Sequence, residues 1–187
     1  EIVKIGDGSG ITFEQTGGQL DMAIAGDGFF KLQDLAGNAV YSRDGNFHVD
    51  ANGQVVSSDG LKLDPALTIP QGATVTISPD GTVTTQVGDQ AATTSGRVQL
   101  VNFRNPAGLE SAGGNILKQT TASGPEIVGN PGENGFGQIT AGFLERSNVE
   151  VVDELVDLIT AQRAYEINSR AIKAADEMLT TVNQLAQ

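Results

Sequence analysis

The sequence predicts a mainly β protein, an antiparallel β domain followed by one long C-terminal α-helix. Two observations carry this expectation. All 24 glycines and all 6 prolines lie at or before Gly142, and these residues are the strongest local breakers of regular structure. The chain therefore divides into a turn-punctuated first part and an uninterrupted last quarter. Upstream of that boundary, short apolar or β-branched runs alternate with turn residues at short intervals, the pattern of an antiparallel domain.

Strands are predicted at residues 20–24, 29–32, 39–42, 47–49, 54–57, 74–77, 83–86, 98–103 and 138–143. Asp27-Gly28, Asp44-Gly45, Asn52-Gly53, Asp59-Gly60 and Asp80-Gly81 supply residues that reach positive φ at low cost, so they are read as tight hairpin turns. Residues 105–108 and 123–137 hold breakers densely enough to be read as loops. The helix opens at Ser147 with Glu150 three positions later, a capping box. Asp153, Glu154 and Asp157 suit the positive end of its dipole. Val152, Val156, Ile159, Ile167, Ala171, Ala174, Met178, Val182 and Leu185 recur at steps of three and four, and Leu155, Leu158 and Tyr165 widen the stripe. About forty residues at 1.5 Å each would extend roughly 60 Å. This divides the chain into an extended linker at 1–18, a β-rich domain at 19–143 and a helix at 144–187. No second long helix is legible, so the apolar stripe seeks its partner in another molecule.

The formal charge of -12 and a pI near 4.3 oppose nucleic-acid binding, which rests on Lys and Arg neutralising phosphates. No run of about 18 apolar residues is available to insert into a membrane. Cysteine is absent, which excludes disulfides and thiolate chemistry but leaves the compartment open. The chain begins at Glu1 without Met and is read as a processed form or a fragment.

Catalytic and metal signals are weak. His48 is the single histidine, and its setting Asn46-Phe47-His48-Val49 alternates like a strand, so it is read as a strand residue rather than a triad base. Asp44 and Asp50 could flank a glycosidic bond, but nothing in their spacing selects them from the other turn aspartates. Gly6-Asp7-Gly8-Ser9-Gly10-Ile11 and Asp50-Ala51-Asn52-Gly53 resemble fragments of calcium loops, and neither reaches a bidentate Glu. Gly26-Asp27-Gly28 precedes a strand and so makes no phosphate cradle. The reading is no enzyme, no cofactor and no metal, with a calcium-binding adhesin-like β protein and a glycan-directed enzyme as the rival classes.

Longer motifs point elsewhere. Leu20-Asp21-Met22-Ala23-Ile24-Ala25-Gly26-Asp27-Gly28-Phe29-Phe30, then Tyr41-Ser42-Arg43-Asp44-Gly45-Asn46-Phe47, then Asp50-Ala51-Asn52-Gly53 resemble the signature of bacterial flagellar rod and hook proteins. Glu145-Arg146-Ser147-Asn148-Val149-Glu150-Val151-Val152, Ala161-Gln162-Arg163-Ala164-Tyr165-Glu166-Ile167-Asn168-Ser169 and Ala175-Asp176-Glu177-Met178-Leu179 resemble the family's C-terminal segment. The likeness is greatest to the distal-rod branch, with a proximal-rod subunit as the nearest alternative. It implies a structural subunit, exported by the flagellar type III apparatus, that polymerises helically into a hollow drive shaft transmitting torque to the hook. The implied location is the periplasm-spanning rod of the basal body. The implied partners are other copies of itself, hook and proximal-rod proteins and the surrounding rings, with neither nucleic acid nor membrane insertion. The family's N-terminal helix, which packs beside the C-terminal one, is not legible from Glu1 onward, which puts assembly of this stretch alone in question. On this reading the subunit interface comprises Ser147, Asn148, Val152, Leu155, Val156, Ile159, Gln162, Tyr165, Ile167, Asn168, Ala171, Met178, Val182 and Leu185.

Overall fold

In the computed structural model the chain forms two compact units, Glu1–Ser147 and Asn148–Gln187. The structure describes residues 2–3, 12–146, 162, 163 and 165. In the first unit β1 (Ile2–Val3), β2 (Thr12–Gln15), β3 (Met22–Ala25), β4 (Phe29–Gln33), β5 (Ala39–Ser42) and β6 (Phe47–Val49) are followed by β7 (Val55–Ser57), β8 (Lys62–Leu63), β9 (Ala73–Ile77), β10 (Thr82–Val87) and β11 (Thr93–Arg97). Then come β12 (Leu100–Phe103), β13 (Glu110–Gly113), β14 (Ile116–Lys118), β15 (Glu126–Gly129), β16 (Gln138–Ala141) and β17 (Phe143–Arg146).

Pairing is antiparallel throughout, and the largest sheet runs β13-β14-β5-β4-β8-β7-β6. Strand β4 is its hub. One edge takes β5 along its length. The other edge is shared, with Phe29 and Phe30 opposite Val101 and Leu100 of β12, and Leu32 and Gln33 opposite Leu63 and Lys62 of β8. Strand β15 then pairs with β12. Smaller sheets are β1-β2-β17, β11-β10-β9 and β16-β3.

Side-chain alternation at period two sorts the hub residues onto two faces. Phe30, Leu32, Val40, Leu63 and Leu100 enter the main core with Met22, Ile24, Phe47, Val83, Val98 and Ile139. Phe30 and Phe47 meet edge to face at 5.2 Å. The opposite face carries a smaller cluster of Tyr41, Val101 and Phe103 flanked by Phe29, Leu109 and Leu117.

Several expected strands fall where β-branched residues alternate with turn signals, with β5 and β6 at the bounds read from sequence. The run expected at 138–143 is instead two strands in different sheets, β16 and β17, broken at Gly142 with φ 76°. The stretch 123–137, read as a loop, contains β15, and 105–108 contains a 3-10 turn, Pro106–Gly108. Asn52-Gly53, Asp59-Gly60 and Asp80-Gly81 do close hairpins, β6-β7, β7-β8 and β9-β10. Asp27-Gly28 and Asp44-Gly45 do not, because β3 pairs with β16 rather than β4, and β6 pairs with β7 rather than β5.

The helical half of the expected fold class is corrected. Among the described residues the chain is mainly β, its helical content is the Pro106–Gly108 turn with Gln162, Arg163 and Tyr165, and no long C-terminal helix is seen. Periodic apolar spacing permits a helix without dictating one, since helix propensity is weak beside tertiary packing. The rest of the stripe, from Val152 to Leu185, lies outside the described residues.

Candidate assembly site

Of the interface residues expected from the sequence, Gln162 and Tyr165 are described, and both are exposed, Tyr165 at 77%. Ser147, Asn148, Val152, Leu155, Val156, Ile159, Ile167, Asn168, Ala171, Met178, Val182 and Leu185 lie outside the described residues. The geometry that can be built from the residues upward belongs to the β unit.

Its two sequence motifs lock into each other. Arg43 follows β5 directly, and its guanidinium, a rigid fork of five donors, reaches into the turn between β3 and β4. There Nη1 donates to the Gly28 carbonyl at 3.3 Å, and Nη2 to the carbonyls of Ile24 at 3.3 Å and Gly26 at 3.1 Å. The remaining contact runs from Nε to Glu145 Oε2 on β17 at 2.8 Å. Three carbonyls converge because the turn takes backbone angles that L side chains rarely adopt, with φ 120° at Gly26 and 135° at Gly28. Gly137 backs the turn: its amide donates to the Asp27 carbonyl at 2.8 Å, and a Cβ on Gly26 would stand 2.9 Å from its Cα. Gly45 is needed for another reason. A Cβ there would collide with the Met22 carbonyl, while the Gly45 carbonyl accepts the Met22 amide at 3.0 Å. The two Asp-Gly pairs that are not hairpin turns therefore build one knot joining β3, β4, β5 and β17.

A second polar cluster lies on the face of the large sheet that carries Phe103. Glu126 on β15 accepts from Lys31 Nζ at 2.8 Å and from the Tyr41 hydroxyl at 2.7 Å, and Asp64 lies 3.4 Å from the same ammonium. The bond to Glu126 raises the pKa of Lys31 above its ordinary value. Burial, then the same carboxylate, pushes the Tyr41 phenol up. For Glu126 burial is the largest influence and acts upward. The bonds from Lys31 and Tyr41 and the lysine's charge together outweigh it, and the carboxyl is held below its usual range. Glu126 escaped the sequence reading because Pro125 and the neighbouring glycines outweighed the Ile127-Val128 strand signal.

The turn carboxylates serve their own loops. Asp50 Oδ1 accepts the amides of Asn52 and Gln54, both at 2.8 Å, and its pKa is lowered chiefly by the Gln54 amide. Asp34 and Asp80 are lowered in the same way, foremost by Asn38 and Thr82 side chains. Among the described residues no cluster of three or more carboxylate or imidazole groups is placed to hold a metal ion. His48 stands exposed on β6 at the rim of an open groove of about 480 Å³ that also touches Gln19, Phe47, Ile69 and Val75.

Such an arrangement defines a structural β module, in which side-chain polarity is committed to fixing turns and sheets against one another. Comparison with known proteins agrees. Residues 23–85 match the flagellar hook protein FlgE/F/G D1 domain, and residues 140–185 match the flagellar basal body rod FlgEFG protein C-terminal family. The flagellar basal-body rod protein FlgG of Buchnera aphidicola is 44% identical over 91% of this chain and 66% of its own length. The FlgG of Caulobacter vibrioides is 45% identical over the same shares, and the hook protein FlgE of Salmonella typhimurium is 41% identical over 58% of this chain and 27% of its own. The chain belongs to the FlgG family of flagellar rod proteins, as the motifs at residues 20–30 and 41–47 implied. It spans just under two thirds of the length of the FlgG relatives named here.

Proposed function

We propose that this chain is the β module and C-terminal segment of a structural subunit of the flagellar distal rod. The observation that carries the reading is 44–45% identity to FlgG proteins over 91% of the chain, which spans both motif blocks. The subunit polymerises with other copies into the hollow shaft that crosses the periplasm and transmits torque to the hook. One interface repeated between unlike surfaces yields an open helical assembly. Its neighbours are hook and proximal-rod proteins and the rings around the shaft, and its role is mechanical rather than catalytic. The domain organisation proposed is a β module at 1–146, which takes in the 1–18 stretch expected as a linker because β1, β2 and β17 share one sheet, and a polymerisation segment at 147–187. Within that last segment Ser147, Asn148, Val152, Leu155, Val156, Ile159, Gln162, Tyr165, Ile167, Asn168, Ala171, Met178, Val182 and Leu185 supply subunit contacts.

Deleting the gene tests this. The expected result is loss of swimming and of hooks, restored by the full-length gene and not by one carrying Ile159→Asp, since an unpaired carboxylate buried at a repeated contact costs about 3–5 kcal/mol. Normal basal bodies in the deletion strain would contradict the reading.

A further inference from the structure

Strand β17 ends at Arg146, two residues before the second compact unit begins in the chain at Asn148. Besides pairing with β2 and packing beside β3, it is held to the rest of the β unit by two hydrogen bonds. At its start the Gly142 amide donates to the Asp21 carbonyl at 2.7 Å, and three residues on Glu145 takes the Arg43 Nε bond at 2.8 Å. A strand held at one point pivots about it. Two ties three residues apart, roughly 10 Å at about 3.3 Å per residue, fix its direction. The second tie is also anchored, because the same guanidinium is held by the three carbonyls at Ile24, Gly26 and Gly28. Pairing alone does not supply this. Strand β17 pairs with β2, and β2 with β1, so the three form a ribbon whose ladder includes no strand of the large sheet.

From this geometry we infer that Arg43 and Glu145 act as a latch: Arg43 is a positioning residue that sets the direction of β17, and assembly requires that direction. The inference rests on the rod reading above and goes beyond it by assigning the Arg43-Asp44-Gly45 motif a task. The two partners differ in a measurable way. Glu145 sits at the strand end of the latch, whereas Arg43 also organises the β3–β4 turn.

Amide exchange of the full chain separates them. Glu145→Gln is expected to speed exchange in β2 and β17 about tenfold, the scale of one charged hydrogen bond, with the 24–28 turn and strands β4 and β5 unchanged. Arg43→Gln is expected to speed exchange in both the ribbon and the turn. In cells lacking the gene, full-length protein carrying Glu145→Gln is expected to accumulate and be exported yet to restore swimming poorly. Unchanged exchange in β17, or acceleration spread evenly over β4 and β5, would overturn the latch, as would normal swimming with Glu145→Gln. Failure of the rod reading would be recognised separately, by swimming that survives loss of the whole gene.

Discussion

The two faces of the large sheet solve the same packing problem with different chemistry. Residues adjacent in β4, β5 and β12 point to opposite sides, so Phe30, Leu32, Val40 and Leu100 enter a continuous apolar core while Lys31, Tyr41, Val101 and Phe103 meet on the other face. The first face gains from area removed from water, at about 25 cal/mol per Å² of apolar surface. On the second, an aromatic cluster, with Tyr41 and Phe103 crossing at 4.8 Å and 83°, is roofed by the Lys31–Glu126–Tyr41 bonds. Apolar burial is directionless and stabilises. Charged bonds are directional, and here they register β15 against β4 and β5.

The largest expected effect comes from the apolar face. Phe30 is fully buried, and Phe30→Ala is expected to cost about 3–5 kcal/mol, lost transfer energy plus an uncollapsed cavity. Urea unfolding measures it. A cost below that of the polar-face variants would break the comparison. Next is Gly45→Ala, whose Cβ has nowhere to go against the Met22 backbone; overpacking of this kind costs about 1–3 kcal/mol. Tyr41→Phe keeps the ring packing and deletes one bond to a carboxylate, so about 1–2 kcal/mol is expected.

The smallest effect is the most diagnostic. Glu126 has a lowered pKa, so its contribution is present above the ordinary carboxylate range and fades as pH falls through the folded value. Lys31 and Tyr41 are raised, so theirs are present below 10.5 and 10.0 and fade as pH rises further. Unfolding curves at pH 3, 7 and 11 are expected to show both declines, and Glu126→Gln to flatten the part of each that belongs to this cluster. A variant as pH-dependent as the parent would mean that the cluster carries no linkage.

The strands of the apolar face were legible in the sequence, because Phe29-Phe30-Lys31-Leu32 and Ala39-Val40-Tyr41-Ser42 are short apolar-rich runs between turn residues. The polar face was not. Glu126 lies 95 residues from Lys31 and 85 from Tyr41, and no local rule pairs residues across such distances. The same limit hid the latch: Arg43 stood inside a recognised motif, but Glu145 is 102 residues away. Asp27-Gly28 and Asp44-Gly45 carried a sound local signal that was assigned to the wrong use, since a turn dipeptide does not say whether the strands it joins pair with each other. Strand β2 was missed because Thr12-Phe13-Glu14-Gln15 is short and has a single large apolar residue, Phe13, and its pairing partner β17 is remote in sequence. Apolar periodicity over 152–185 suggested a long helix, and that step ran beyond what spacing decides.

The central claim, that this module repeats around a flagellar shaft, is tested most directly by electron cryomicroscopy of basal bodies from the bacterium that encodes it. Distal-rod density is expected into which the β unit of residues 12–146 fits repeatedly on one helical lattice, with β17 in the direction set by Arg43. Rod density that accepts no copy of this unit would contradict it.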